Sequence, residues 1–475
     1  MLSRRTLMLS TAAGTAVDGL RAQAARATPH ETLKTDVCVI GGGSGGTGAA
    51  LAAARGGADT VLVEFESILG GTSTNAWVNT WEPVSGADGL PREIYAAMRQ
   101  DPMGVTYADY SRGAHRVVFK DGKWQRGDHH GLPWEPRAFN YFVREMLEAT
   151  GHCRVLLNTV FYRAFRRGDT IEAVEAWFCG RRLRIEARIF IDSTADAELC
   201  VDAGCDFHMG EDPRSRYQEP TAPETAEMQL NGLTLCYRIK DTGVKQKPWL
   251  PKEIPEGICR KPVHTVVLPN GDHLLNAVGM IDGNAVMEME YSELMREAYR
   301  RVLEHFYWLQ QLPPGDRWNR RAPKGYGTWA IAGVAPRIGV RESRRVLGDY
   351  VLTENDVRAG VKGQTHPDII AISDHAVDVH GRKGRLYEVP NGPYGVPYRC
   401  LLPRGVRNLF IASRAASFSH IAAASCRLCR TMMTLGQAAG NAAALCVRER
   451  VPPREVDMAR LRAMLSAQGV ALTVG

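Results

Sequence analysis

No stretch of this 475-residue chain reaches 18 consecutive apolar residues, so no stable membrane span is expected. It also lacks internal repeats, low-complexity tracts and heptads, which excludes solenoids, linker-like proteins and coiled coils. No run of Lys and Arg interleaves with aromatics, and nucleic acid is not an expected partner. The 11 cysteines are an odd number for a disulfide framework, and Cys38 and Cys446 sit in apolar runs, as buried thiols do. Cys426-Arg427-Leu428-Cys429 has no second paired-cysteine motif to match it, so a zinc or iron–sulfur site is not expected.

A chain this long holds two domains, or one domain with an insertion. Its formal net charge of +7 is partly local, because residues 1–27 carry four arginines against one aspartate. There Ser3-Arg4-Arg5 with Thr6-Leu7-Met8 resembles a twin-arginine export motif. A small-residue stretch follows it, and Ala22-Gln23-Ala24 and Ala25-Arg26-Ala27 offer cleavage sites. The expectation is a periplasmic or secreted protein carried by the twin-arginine machinery. If the segment is only a tail, the protein is cytoplasmic.

Thr35 to Ile40 is a short apolar run ended by glycine, the pattern of a buried parallel strand. It leads into Gly41-Gly42-Gly43-Ser44-Gly45-Gly46, a G-x-G-x-x-G turn set by Gly41, Gly43 and Gly46. The glycines permit a tight turn, close backbone approach to a pyrophosphate and close helix packing. An alanine-rich helix over residues 47–57 would aim its first amides, with Ser44 and Gly45, at that anion. A second strand, 59–63, ends in Glu64, 23 residues after Gly41, where an acid accepts hydrogen bonds from ribose hydroxyls. Strand, turn and helix do not distinguish NAD from FAD. A second glycine turn at Leu69-Gly70-Gly71-Thr72 favours FAD, since such a turn in flavoproteins lies near the pyrophosphate and the flavin.

From here the chain resembles the large FAD-dependent oxidoreductase family, whose Rossmann domain is related to the glutathione-reductase and fumarate-reductase flavoproteins. Four segments carry the likeness: 36–64 with 69–74; Ile189 to Glu198; Gly339 to Thr353; and Tyr398 to Gly440. Two positions depart from the family pattern, with Ala195 and Ser413 standing where glycine is usual. The resemblance implies an FAD cofactor near Asp196, Arg414, Gly436, Gln437 and Ala438, with a backbone contact to adenine from Val160. No histidine follows Glu64 where some relatives attach the flavin, so the FAD is expected to be non-covalent.

The implied architecture is α/β: an FAD-binding Rossmann-type domain, doubly wound and three-layered, with an inserted α+β substrate or cap domain. The FAD-binding part spans 33–80, 135–207 and 337–450, and the cap spans 81–134 and 208–336. Residues 451–475 form a tail or helix. Helices are expected at 136–149, 287–309 and 432–447. Strands are expected at 154–162, 233–240 and 408–412, with a hairpin turning at Cys179-Gly180.

Flavin oxidations need a base for the departing proton. His380, His420 and His375 are the candidates, and the spacing Asp374-His375-x-x-Asp378-x-His380 offers a carboxylate to orient an imidazole, or alternatively metal ligands. Arg341 and Arg345, like Arg427, would either bind an anionic substrate, stabilise reduced-flavin charge, or pair with a neighbour such as Glu342. The cysteine pair at 426 and 429 would be either redox-active or structural. The leading expectation is hydride transfer from an alcohol- or amine-bearing carbon of a small polar substrate to flavin, with the electron acceptor open. The alternatives are reduction of an activated double bond and a non-catalytic, FAD-stabilised binding protein.

Overall fold

A computed structural model describes residues 31–473 except 83, 87, 111–116, 122, 127–130, 261–262, 278 and 382–383. The twin-arginine segment lies outside the described residues. The first unit of structure is β1 (Glu31–Ile40), the glycine turn, α1 (Ser44–Arg55) and β2 (Thr60–Val63). After α2 (Pro136–Glu148) come β3 (Cys153–Leu156), β4 (Thr159–Arg167), β5 (Thr170–Phe178) and β6 (Arg181–Asp192). The sheet order is β3-β2-β1-β6-β5-β4. Pairing is parallel from β3 to β6 and antiparallel across β5 and β4.

The single strand expected at 154–162 is two strands, because Asn158 takes a left-handed φ of 51° between them. The hairpin turn forms where expected. Cys179 (φ 48°) and Gly180 (φ 74°) are both left-handed, matching the twist of the strands they join.

A second core starts at Leu233 and ends at Ile338. It is built on β7 (Tyr237–Asp241), β8 (Val263–Val267), β9 (His273–Ala277), α3 (Tyr291–Gln311) and β10 (Trp329–Val334), in the antiparallel order β8-β9-β7-β10. This is the inserted α+β domain. The other region expected in the cap behaves differently. Trp81, Tyr95 and Trp134 belong to the first core, where Trp134 stacks on Phe139 of α2 at 5.1 Å between centroids. Trp81, Tyr95 and Trp134 therefore pack with the dinucleotide fold rather than with the second core.

The chain then returns to the first core through the hairpin β11 (Val377–Gly381) and β12 (Gly384–Glu388), followed by β13 (Leu409–Ile411), α4 (His420–Ser425), α5 (Cys429–Glu449) and α6 (Met458–Ala467). β13 pairs in parallel with Phe190–Asp192 of β6, extending the parallel part of the sheet. α5 lies against α1 at backbone distance: a Cβ on Gly436 would sit 1.9 Å from Gly45 O, and one on Gly440 would sit 2.2 Å from Ala49 O. No helix among the described residues is long and apolar enough to cross a membrane.

Candidate functional site

The carboxyl ends of β1, β2 and β6 converge on the two glycine turns. Gly70 N donates to Gly42 O at 2.8 Å, and a Cβ on Gly71 would lie 3.0 Å from Gly43 Cα, so the two turns touch through bare backbone. α1 starts from Gly43 without a side-chain cap, and the first amide to reach an intrahelical acceptor is that of Thr47 (2.8 Å to Gly43 O). The amides of Ser44, Gly45 and Gly46 are left to an outside acceptor. Thr72 begins the short helix Thr72–Asn75 that follows the second turn.

Glu64 closes this cradle. One carboxylate oxygen accepts Gly42 N–H at 2.6 Å and the other accepts Glu66 N–H at 2.8 Å. Burial pushes its carboxyl up to about 7 against those two donors. Asn158 N and Thr159 N donate to the carbonyls of Glu66 and Glu64, which brings Val160 beside the acid with its side chain half exposed.

Asp196 and Arg414 are brought together as an ion pair at 2.8 Å, and Ser343 Oγ donates to Asp196 at 2.6 Å. Ala195 adopts φ 67° in the turn before them, the left-handed geometry that explains why glycine is usual there. Ser413 needs no such geometry. Its Oγ accepts Ala415 N–H at 3.2 Å.

Gly436, Gln437 and Ala438 face the interior of the fold. Gly436 meets Gly45, Gln437 accepts from Leu90 N (3.2 Å) and donates to Gln468 (2.8 Å), and Ala438 is fully buried. These residues set the depth of helix packing. The end of α5 free to face a ligand is its N-terminus at Cys429, seven residues and about 10 Å before Gly436, where Leu428 provides no side-chain cap.

A second group of side chains gathers where the hairpin β11–β12, the turn between α4 and α5, and the second core meet. Asp378 and His380 are two apart on β11 and so share a face, and His380 Nε2 lies 2.9 Å from Asp378 Oδ2. Burial, Arg341 and Arg427 push the imidazole below its ordinary value, while Asp378 pulls it up. Arg427 lies 3.5 Å from the same Asp378 oxygen. Arg341 donates to Gly232 O at 2.6 Å and Thr234 Oγ1 at 2.8 Å. His375 Nε2 is 3.5 Å from Glu82. Asp374 accepts Ser85 N–H at 2.8 Å and Ser85 Oγ–H at 2.5 Å.

His420 and Arg345 meet on Glu342, whose other oxygen accepts Asn231 N–H at 3.1 Å. His420 Nδ1 is 2.9 Å from Glu342, and Arg345 pairs with Glu342 and with Asp212 (3.0 Å) while donating to Gly210 O (2.8 Å) and Phe418 O (3.1 Å). Burial opposes the charge on Glu342, but His420 and Arg345 hold its carboxyl below the usual range. Arg345, 1% exposed, is therefore committed to this network rather than to a substrate. Cys426 is buried, with its thiol pushed up to about 12, which opposes thiolate chemistry at the cysteine pair. No group of three His, Cys, Asp or Glu among the described residues is arranged to hold a metal. Glu82 and Asn231, whose side chain donates to Asp378 O at 3.0 Å, carried no motif that would have marked them in the sequence.

A parallel strand, glycine turn and helix N-terminus at this end of the sheet make the fold that of a dinucleotide-binding flavoenzyme. The chain belongs to the FAD dependent oxidoreductase family, whose sequence profile it matches over residues 36–465, and FAD is its cofactor. Among solved structures it is similar to a geranylgeranyl bacteriochlorophyll reductase-like protein from Thermoplasma acidophilum (12% identity, 92% of this chain and 84% of that one, TM-score 0.46). It is also similar to the myxobacterial chondrochloren halogenase (12%, 91% and 78%, 0.45). A third likeness is to CabE, an aromatic hydroxylase from angucycline biosynthesis (14%, 92% and 68%, 0.43). No curated protein matches the sequence.

Proposed function

We propose that this FAD-dependent oxidoreductase removes a hydride from a hydroxyl- or amine-bearing carbon of a small polar substrate. The observation that carries this reading is the Asp378–His380 pair, 2.9 Å apart on one face of β11. Bound FAD supplies the two-electron sink for the hydride. His380 donates Nε2–H to Asp378, which leaves the lone pair on Nδ1 to take the substrate's proton as the carbonyl or imine forms. Its lowered proton affinity keeps that nitrogen unprotonated near neutral pH. Asp378 then stabilises the imidazolium, as an orienting carboxylate does in other acid–base pairs. Gly279 (φ 63°) borders this nitrogen. A Cβ there would stand 3.7 Å from Nδ1, and glycine leaves that approach open.

Anaerobic addition of alcohols and amines to the holoenzyme tests the proposal through loss of the flavin's yellow colour. Reoxidation of dye-reduced enzyme by an unsaturated acid, with no bleaching by any alcohol or amine, would reverse it in favour of a double-bond reductase. Export by the twin-arginine route is proposed with it. N-terminal sequencing of the exported protein should find cleavage after Ala24 or Ala27, and replacing Arg4 and Arg5 by lysine should retain the protein in the cytoplasm.

A further inference from the structure

The second core carries a cationic surface that the flavin chemistry does not use. β7 runs out into residues 242–252 and β10 is entered from residues 317–328, and the two segments stay side by side. Gln246 N donates to Gly327 O at 2.8 Å, Thr242 N to Thr328 O at 3.0 Å, and Thr242 Oγ1 to the same carbonyl at 2.6 Å. Lys245, Lys247 and Lys252 come from the first segment, Arg320, Arg321 and Lys324 from the second, and neither segment contains an acid. All six are exposed, and none pairs with a carboxylate among the described residues. Arg317 adds a further charge, its guanidinium 4.8 Å from the Trp318 ring centre. The flanking acids are engaged in local turns. Asp241 accepts Gly243 N–H at 3.0 Å, and Asp316 accepts Trp318 N–H at 2.8 Å. Neither segment is a dense basic run by itself, so the surface arises only when β7 and β10 pair. Cations gathered without counter-charges attract an anionic partner over several ångströms of water.

The first segment also exposes apolar side chains. Trp249 is 67% exposed and Val244 65%, the two most exposed large apolar side chains among the described residues. The base of their loop is fixed, since Gln246 Nε2 donates to Val244 O and to Thr242 Oγ1, each at 2.9 Å. Pro248 and Pro251 restrict the backbone around Trp249, so the indole is presented on a stiff loop with lysines before and after it. An indole beside lysines suits the boundary between lipid headgroups and acyl chains, where the ring sits and the ammonium groups reach phosphate. A nucleic acid would meet the charges but leave Val244 in water. We infer that this surface docks the protein on an anionic phospholipid bilayer, with Trp249 and Val244 entering the headgroup boundary and the basic side chains meeting lipid phosphates. Attachment of this kind is peripheral and weakened by salt. No residue of the surface contributes to the Glu64 cradle or to the Asp378–His380 pair, so the inference stands independently of the proposed oxidation.

The test is co-sedimentation of the FAD-loaded full chain with phosphatidylcholine vesicles, either pure or carrying about one-third phosphatidylglycerol. The expected result is binding at least ~10-fold tighter to the anionic vesicles, most of it lost at high salt. Trp249→Ala, and separately Lys245→Glu combined with Lys247→Glu, should each lower that affinity ~10-fold or more, with FAD content and thermal stability as in wild type. The arginine-bearing segment 1–27 is the same in every variant, so these losses report the docking surface alone. Quenching of tryptophan fluorescence by brominated acyl chains should fall in Trp249→Phe. Equal binding to both kinds of vesicle, or anionic binding unchanged in both variants, would overturn the inference. Binding that the lysine reversals weaken and Trp249→Ala does not, matched by retention on duplex DNA, would overturn it in favour of a nucleic acid. Absence of vesicle binding, with self-association that Trp249→Ala abolishes, would overturn it in favour of a second copy of this chain.

Discussion

His380 Nε2 and Asp378 Oδ2 lie 2.9 Å apart on one face of a single strand, and this contact fixes which imidazole nitrogen is left to accept a proton. If that nitrogen is the base, His380→Gln should lower kcat by ~10²–10⁴ while FAD content and the visible spectrum stay as in wild type. Stopped-flow reduction of the bound flavin would measure this directly. An unchanged reduction rate would remove His380 from the chemistry.

The pH dependence has a defined sign. Burial and two arginines depress the His380 imidazole, so the neutral form persists below the ordinary histidine value, and the acid limb of kcat/KM should lie below pH 6.5. Asp378→Asn removes the group that pulls the imidazole up, so the limb should move further toward acid as the rate falls. Arg427→Met removes a cation that pushes it down, and there the limb should move toward neutral. Shifts in the same direction for both variants would contradict the arrangement described.

Glu64 predicts a second pH effect, on cofactor affinity rather than rate. Its carboxyl is raised to about 7 by burial, while ribose hydroxyls and the Gly42 and Glu66 amides favour the ionised form. Binding of FAD to apoprotein should therefore tighten as pH rises through 7. In Glu64→Gln affinity should fall at least ~10-fold and lose that pH dependence, one such charged hydrogen bond contributing about 1.5–3 kcal/mol. Fluorescence titration of free FAD at several pH values would show it.

Two backbone variants separate strain from packing. Ala195 sits at φ 67°, so Ala195→Gly should relieve strain and raise stability by ~1 kcal/mol. Gly436→Ala should do the reverse, because its Cβ would meet Gly45 O at 1.9 Å and force α5 away from α1, costing about 3 kcal/mol or more. Thermal unfolding of the holoenzymes, with FAD release followed in parallel, distinguishes the two.

The dinucleotide half was legible because local patterns decide it. An apolar strand, a glycine turn, an alanine-rich helix and an acid at fixed spacing leave few other structures for residues 35–64. The Asp378–His380 pair was legible for a similar reason, since residues two apart on a strand share a face. The segment 81–134 was not, because Trp81, Tyr95 and Trp134 carry no period that says which of two cores they join. Nor could sequence show that Arg345 and His420 are both spent on Glu342, when one partner is three residues away and the other 78. Nor could spacing show that Gly436 lets α5 touch α1, where a Cβ would lie 1.9 Å from Gly45 O.

The measurement that tests the account most directly is anaerobic mixing of the holoenzyme with a series of small alcohols and amines, recording the flavin spectrum in wild type and His380→Gln. The account predicts that at least one compound bleaches the wild-type flavin rapidly, and that the same compound bleaches the variant ~10²-fold or more slowly. A flavin that no hydroxyl- or amine-bearing compound reduces, or one reduced equally fast in both proteins, would contradict it.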